Sequence, residues 1–159
     1  MNQKTNIKGF TIIEVVLVLA IAGLIFLMVF IALPALQRSQ RDSQREQDIS
    51  RVQTQINNFQ SNNRNRLPTN WTQFTAQYMR AGGDEFVDPS GKNYAFSALA
   101  AGSVPANIDA TDSGQSSVSI FHTVGATCGT DGNVTAGQGN RKIALRIVLE
   151  GGGVACVNN

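Results

Sequence analysis

The chain has 159 residues, 42% of them hydrophobic and 15% charged, with 13 Lys and Arg against 11 Asp and Glu. A formal net charge of +2 implies no strongly polyanionic partner. The arginines are spread along the sequence rather than interleaved with aromatics, so a dedicated nucleic-acid surface is weakly supported. One histidine, His122, and two cysteines, Cys128 and Cys156, fall short of the four N/S ligands that a zinc site needs, and no cofactor motif is present.

Residues 1–8 are polar and include Lys4 and Lys8. Residues 15–33 carry no charged or strongly polar side chain. At about 1.5 Å per helical residue, roughly 20 such residues cross the hydrocarbon core of a bilayer. No small-residue cleavage site of the ordinary secretory kind follows, and the helical pattern runs on. One carboxylate, Glu14, stands at the mouth of the span. An ionised side chain in lipid costs on the order of a few kcal/mol or more, so Glu14 needs a partner or must face something other than lipid; the helix dipole helps modestly and a cation would do more. Lys8 is available while the chain is intact. A cut after Gly9 would place the new amine of Phe10 one helical turn from Glu14. The same amine is equally able to meet Glu14 of a neighbouring copy.

The stretch "KGFTIIEVVLVLAIAGLI" at residues 8–25 resembles the leader-and-helix signature of type IV pilins and their relatives. That signature is a short basic leader, Gly, Phe, Thr, two aliphatics, Glu and an apolar helix. The resemblance implies that a membrane prepilin peptidase cleaves between Gly9 and Phe10 and that Phe10 is N-methylated. It also implies that Glu14 pairs with the Phe10 amine of an adjacent subunit and sets its register during assembly. The count of Lys and Arg flanking the span argues the other way, for a C-terminal side in the cytoplasm. Long domains translocate largely regardless of such charges, and the cysteine pair suits the outside.

Gly23 and Pro34 are the helix-weakening residues of the first segment, and Pro34 predicts a kink. The resemblance implies that the helix between them can lose its helical form and let the subunit stretch, although Pro34 lies later than the proline usual in the family. Residues 37–60 contain neither Pro nor Gly. Ile49, Val52, Ile56 and Phe59 recur at spacings of three, four and three, one apolar stripe that should pack on the rest of the chain. Residues 37–48 lack a stripe and carry Arg38, Arg41, Asp42, Arg45, Glu46 and Asp48. They read either as a solvated helix or as a source of salt bridges between subunits.

Pro68 stops the long helix, and Asn70 with Gln73 resembles a capping box for a short helix bearing Trp71, Phe74 and Tyr78 on one face. These aromatics read as core. "DPSGKNYAF", residues 88–96, reads as a turn and a strand. It resembles the Asp-Pro-X-Gly-X-X-Tyr turn of the major pseudopilins of type II secretion. Residues 100–117 read as an exposed loop. Strands are expected around Val118, Ile120 and Val124 with His122 on the same side, then over residues 143–149 and 154–157, the last two joined as a hairpin by "EGGG". His122 reads as a packed or edge residue, with no nucleophile or paired acid near it in sequence. The Gly-rich residues 125–140 would be mobile unless tied down. Cys128 and Cys156 read as a disulfide that ties them, the alternative being two buried thiols. Asp109, Asp112 and Asp131 match no standard calcium loop and read as solvated acids.

The expected fold is therefore α+β, a long N-terminal helix packed against a small antiparallel sheet. Residues 1–9 form a cleaved leader, 10–36 the membrane and filament-core helix, 37–63 its amphipathic continuation and 64–159 the globular head. The resemblance implies a non-enzymatic structural subunit, single-pass in the cytoplasmic membrane before assembly and extracellular afterwards. It would polymerise with itself into a filament for adhesion, motility or DNA uptake. Its partners would be a prepilin peptidase, an assembly platform and an ATPase. The alternatives are a pseudopilin of a secretion or competence system and a bitopic membrane protein with an external binding domain.

Overall fold

Helix α1 runs unbroken over Ile12–Asn62 in the computed structural model, which describes residues 9–105 and 117–159. The leader residues 1–8, with Lys4 and Lys8, most of the expected loop at 100–117, and Asp109 and Asp112 lie outside the described residues. The first part of α1 is rich in Ile and Val, poor helix formers in water. In an apolar medium, however, a helix is the one local structure that satisfies every backbone polar group within a single segment. The assigned helix continues through Gly23 and Pro34. The chain divides into two compact units, residues 1–37 and 38–159.

In the first unit the apolar residues cover nothing. Phe10 is 90% exposed and Ile12 86%, and no residue of the most apolar 18-residue stretch of the helix is buried within the chain. In the second unit, Ile49, Val52 and Ile56 are fully buried and Phe59 packs beside them, so the expected stripe is the seam of a core. Across that seam lies a four-stranded sheet in the order β1-β2-β5-β6: β1 Asn93–Ala98, β2 Ser117–Val124, β5 Ile143–Val148 and β6 Val154–Asn158. Ile120, Ile143, Leu145 and Ile147 supply the facing side chains. A short helix, α2 (Trp71–Phe74), follows the Asn70 cap, whose side chain accepts the Gln73 backbone N–H. It widens into a π-helical turn, Thr75–Met79. Trp71, Phe74 and Tyr78 close one end of the core against Phe59 and Phe96.

Two expectations change. The sheet is mixed rather than purely antiparallel, because β1 pairs with β2 in parallel, Asn93 opposite Ser117 and Ala98 opposite His122. Parallel neighbours need a crossover of a dozen or more residues, and residues 99–116 supply that length. The Gly-rich segment contains its own two-stranded sheet, β3 (Ala126–Cys128) with β4 (Val134–Ala136). The Cys128–Cys156 disulfide joins it to β6, the strand opposite Arg146 of β5. On the face of the main sheet turned away from α1, Phe121, Thr123 and Arg146 are buried, Thr123 Oγ1 donating to the Leu99 carbonyl and Arg146 Nη1 to the Ser103 carbonyl. Val124, read as part of the apolar alternation, is instead 52% exposed at the strand end.

Candidate functional site: the Gly9–Glu14 segment and the base of the head

The start of α1 is built by its own side chains. Thr11 stands just before the first helical residue, and Glu14 follows three positions later. Glu14 Oε2 accepts the Thr11 backbone N–H and the Thr11 hydroxyl, each at 2.8 Å, while the Glu14 N–H donates to Thr11 Oγ1 at 3.4 Å. This is a reciprocal capping box, which satisfies helix-end donors that would otherwise be orphaned. The expected partners of Glu14 are cations, and Thr11 is not among them. The T-x-x-E spacing of residues 11–14 was the signal for this second role. Both bonds to the carboxylate fall on Oε2, so Oε1 has no partner among the described residues. Phe10, Glu14, Val15, Val18 and Leu19 line one apolar hollow on the helix, which places the carboxylate at the rim of a greasy surface. Gly9 and Phe10 are exposed and precede the helix. At Gly23 an added Cβ would meet nothing within 4 Å, so no contact within this chain requires glycine there.

The "DPSG" turn and the polar residues 41–48 form a second constellation. Arg45, 1% exposed, donates from Nε to Asp88 Oδ1 at 2.6 Å and from Nη2 to Asp88 Oδ2 at 3.0 Å and Glu150 Oε1 at 2.9 Å. Arg41 Nε donates to Glu150 Oε2 at 2.9 Å. Asp42 accepts the backbone N–H groups of Glu150 and Gly151, at 2.7 and 2.8 Å, which seats the β5–β6 hairpin turn on α1. Asp88 also accepts from the Ser90 N–H and hydroxyl, closing a turn in which Gly91 takes φ +81°. The Tyr94 hydroxyl donates to Asp48 at 2.8 Å. The charges of residues 37–48 were expected either in solvent or between subunits. Arg41, Asp42, Arg45 and Asp48 are instead partnered within the head, by Glu150, Gly151, Asp88 and Tyr94.

Burial pushes the Asp88 carboxyl up, but the bonds from Arg45 and Ser90 outweigh it and hold it below its ordinary value. Burial likewise opposes the charge on Arg45, and Asp88 and Glu150 more than restore it. Asp48 moves the other way. Its desolvation exceeds the help of the Tyr94 hydroxyl, and its pKa is raised. Burial, with Asp48 beside it, raises the Tyr94 phenol far above its usual range. His122 packs against Trp71 with ring centroids 4.5 Å apart; burial lowers its pKa, and its Nδ1 has no partner among the described residues.

Residues 4–30 match the family model of the prokaryotic N-terminal methylation motif, the class III signal peptide of type IV pilins. Neither the curated proteins nor the solved structures yielded a match to the chain. The motif supports a type IV pilin-like or pseudopilin-like protein anchored in a membrane through its apolar helix, and it points to a structural role.

Proposed function

We propose that the chain is a prepilin whose mature form polymerises into a surface filament. Cleavage between Gly9 and Phe10 would create an amine, to be N-methylated, one turn from Glu14. The observation that carries this reading is the conjunction of the methylation motif with an apolar helical stretch that has no buried residue in its own chain. Such a surface calls for lipid before assembly and neighbouring copies after it. Glu14 then has two uses. Its Oε2 caps its own helix, and its Oε1, without a partner among the described residues, is available to the Phe10 amine of an adjacent subunit, so a carboxylate costly in lipid becomes a docking element. Gly23 and Pro34 are the positions at which the core helix would yield. Residues 10–36 would form the filament core, and residues 64–159 the outer head. The partners are the other subunits, the prepilin peptidase, the assembly platform and its ATPase.

A second reading, a pseudopilin of a shorter secretory or competence filament, is favoured by the turn at residues 88–94. That turn docks through Asp88 on Arg45 and through Tyr94 on Asp48.

The test is the mass of the N-terminal peptide from the sheared cell-surface fraction. A peptide beginning at N-methylated Phe10 is expected. A chain retained in the membrane with residues 1–9 intact would overturn the proposal in favour of a bitopic protein. Within the filament reading, Glu14→Val should insert and fold yet fail to assemble. Long filaments seen by electron microscopy distinguish a surface filament from a secretory one.

A further inference from the structure

The main sheet has two edges, and the fold treats them differently. At the β6 edge the Cys128–Cys156 disulfide ties on the β3–β4 sheet, and the Cys128 N–H donates to Asn158 Oδ1 at 3.0 Å. β1 is the other edge, since within the sheet it pairs only with β2. Two bonds fix the direction of its backbone groups. The Leu99 N–H donates to the His122 carbonyl of β2 at 3.0 Å, so the odd-numbered residues of β1 turn their N–H and C=O toward β2. The Lys92 carbonyl accepts the Asp88 N–H at 2.8 Å on the opposite side. Tyr94, Phe96 and Ala98 therefore direct their backbone groups outward. An isolated bridge between Val87 and Asn93 covers the start of this edge. Beyond it, no hydrogen bond to the Phe96 N–H or C=O, or to the Ala98 N–H, is present among the described residues.

Beside that open stretch lies a hollow of about 450 Å³, with Trp71, Thr75, Ala76 and Arg80 along one wall and Ala95 and Phe96 along the other. The first wall is α2 and the π-helical turn Thr75–Met79, a rare geometry that recurs at functional sites. Arg80 stands at the Asn93 end and donates to Asn93 Oδ1 at 2.7 Å. It meets no carboxylate among the described residues, and Asp84 pairs instead with Arg51. The strand itself, "NYAFSA", holds no proline and no charged residue, the usual guards of a free edge.

We infer that the β1 edge and this hollow are a docking site for an extended peptide segment of a partner protein, with an aliphatic side chain in the hollow and a carboxylate on Arg80. The outward N–H and C=O of Phe96 are matched together by another extended backbone, the pairing by which a strand adds to a sheet edge. Trp71, Ala76 and Phe96 give the added strand an apolar wall for one of its side chains. The uncompensated guanidinium of Arg80 selects an acid, and its planar fork suits a carboxylate. Antiparallel addition is the more stable per residue. β1 runs from Asn93 to Ala98, so an antiparallel peptide runs toward Arg80, and its acid follows its aliphatic residue. Asn93 and Phe96 are about 10 Å apart at about 3.3 Å per residue, which sets the acid about three positions later. A second β1 strand is a poor occupant, because "NYAFSA" offers no acid to Arg80. The inference goes beyond the filament reading and does not depend on it, since the edge and the hollow both lie within the second compact unit.

The test is affinity selection of a random-sequence library of short N-acetylated peptides on the full chain in non-ionic detergent, counter-selected against empty micelles. The selected peptides should share an aliphatic residue followed about three positions later by Asp, Glu or a free C-terminus. Binding of the best of them, read by fluorescence anisotropy, should be lost when alternate backbone nitrogens are methylated in one phase and kept in the other. Amide hydrogen exchange read by NMR should slow at Phe96 and Ala98 when that peptide binds. Ala76→Phe fills the hollow and should abolish binding, whereas Gln77→Phe, at an exposed neighbouring position that does not line it, should leave binding unchanged. Arg80→Gln should weaken binding roughly two- to fivefold, the scale of an exposed ion pair, and a selection repeated on it should lose the preference for an acid. Near-ultraviolet circular dichroism identical to the parent would show that each variant folds. The inference is overturned by a selection that returns no common pattern, by methylation phases that behave alike, by an equal loss in Gln77→Phe, or by a Phe96 amide already protected in the free chain, which would mean that a second copy occupies the edge.

Discussion

Removing the Arg45 guanidinium should be among the most damaging single changes in the head. Arg45 is 1% exposed, and the Asp88 side chain is fully buried. Arg45→Met keeps the hydrophobic stem and roughly fills the volume, but it strips the Asp88 carboxylate of both guanidinium bonds, leaving it the Ser90 N–H and hydroxyl, and leaves Glu150 with Arg41. Breaking a buried ion pair from one side costs about 3–5 kcal/mol, a large part of the 5–15 kcal/mol that typically holds a domain together. The exposed pair Arg51–Asp84, at 2.8 Å, is the control. Its side chains are 38% and 64% exposed, so Arg51→Ala should cost under about 1 kcal/mol. Urea unfolding of the full chain in non-ionic detergent can be followed by Trp71, the one tryptophan, which stacks on Phe96. In Arg45→Met the stranded carboxyl should prefer its proton, so the variant's deficit should shrink on going from pH 7 to pH 5. A deficit below about 1 kcal/mol, no larger than that of Arg51→Ala, would refute the view that burial makes this pair structural.

In the parent, the depressed Asp88 pKa contributes stability that is present above the ordinary carboxyl range near pH 4 and lost as pH falls through the folded value. His122, held neutral by burial, costs stability once pH falls below its usual value near 6.5. A pH titration of urea midpoints should therefore decline in two stages, and His122→Phe should remove the upper one. Replacing Cys128 and Cys156 by serine releases a loop with a sequence separation of 28 and should lower stability by roughly 3–4 kcal/mol in the chain-entropy model, read as a drop in urea midpoint. Gly132→Ala should cost about 2 kcal/mol or more. Gly132 has φ +72°, and a Cβ there would stand 2.7 Å from Val154 Cβ and 3.0 Å from its carbonyl oxygen.

Much of this molecule was legible because its signals are local. The apolar run, the Gly9–Phe10–Glu14 arrangement and the stripe from Ile49 to Phe59 each depend on spacings of a few residues along one helix. The Asn70 cap and the β5–β6 hairpin are equally short-range. Thr11 as partner of Glu14 was also within reach, as a T-x-x-E pattern. The parallel pairing of β1 with β2 was not, because it depends on where residues 99–116 return the chain, and strand alternation carries no information about direction.

By itself the sequence determined that a membrane-length helix begins at a lone carboxylate and continues as the spine of a small α+β head. Covalent order and side-chain period suffice for that. Tertiary structure alone decided the fate of the scattered charges. Arg45 reaches Asp88 across 43 positions and Glu150 across 105. Gln60 reaches the Arg141 carbonyl across 81 positions. Coulomb energy depends on distance in space and on exclusion of water, and neither quantity is written in the order of residues along the chain.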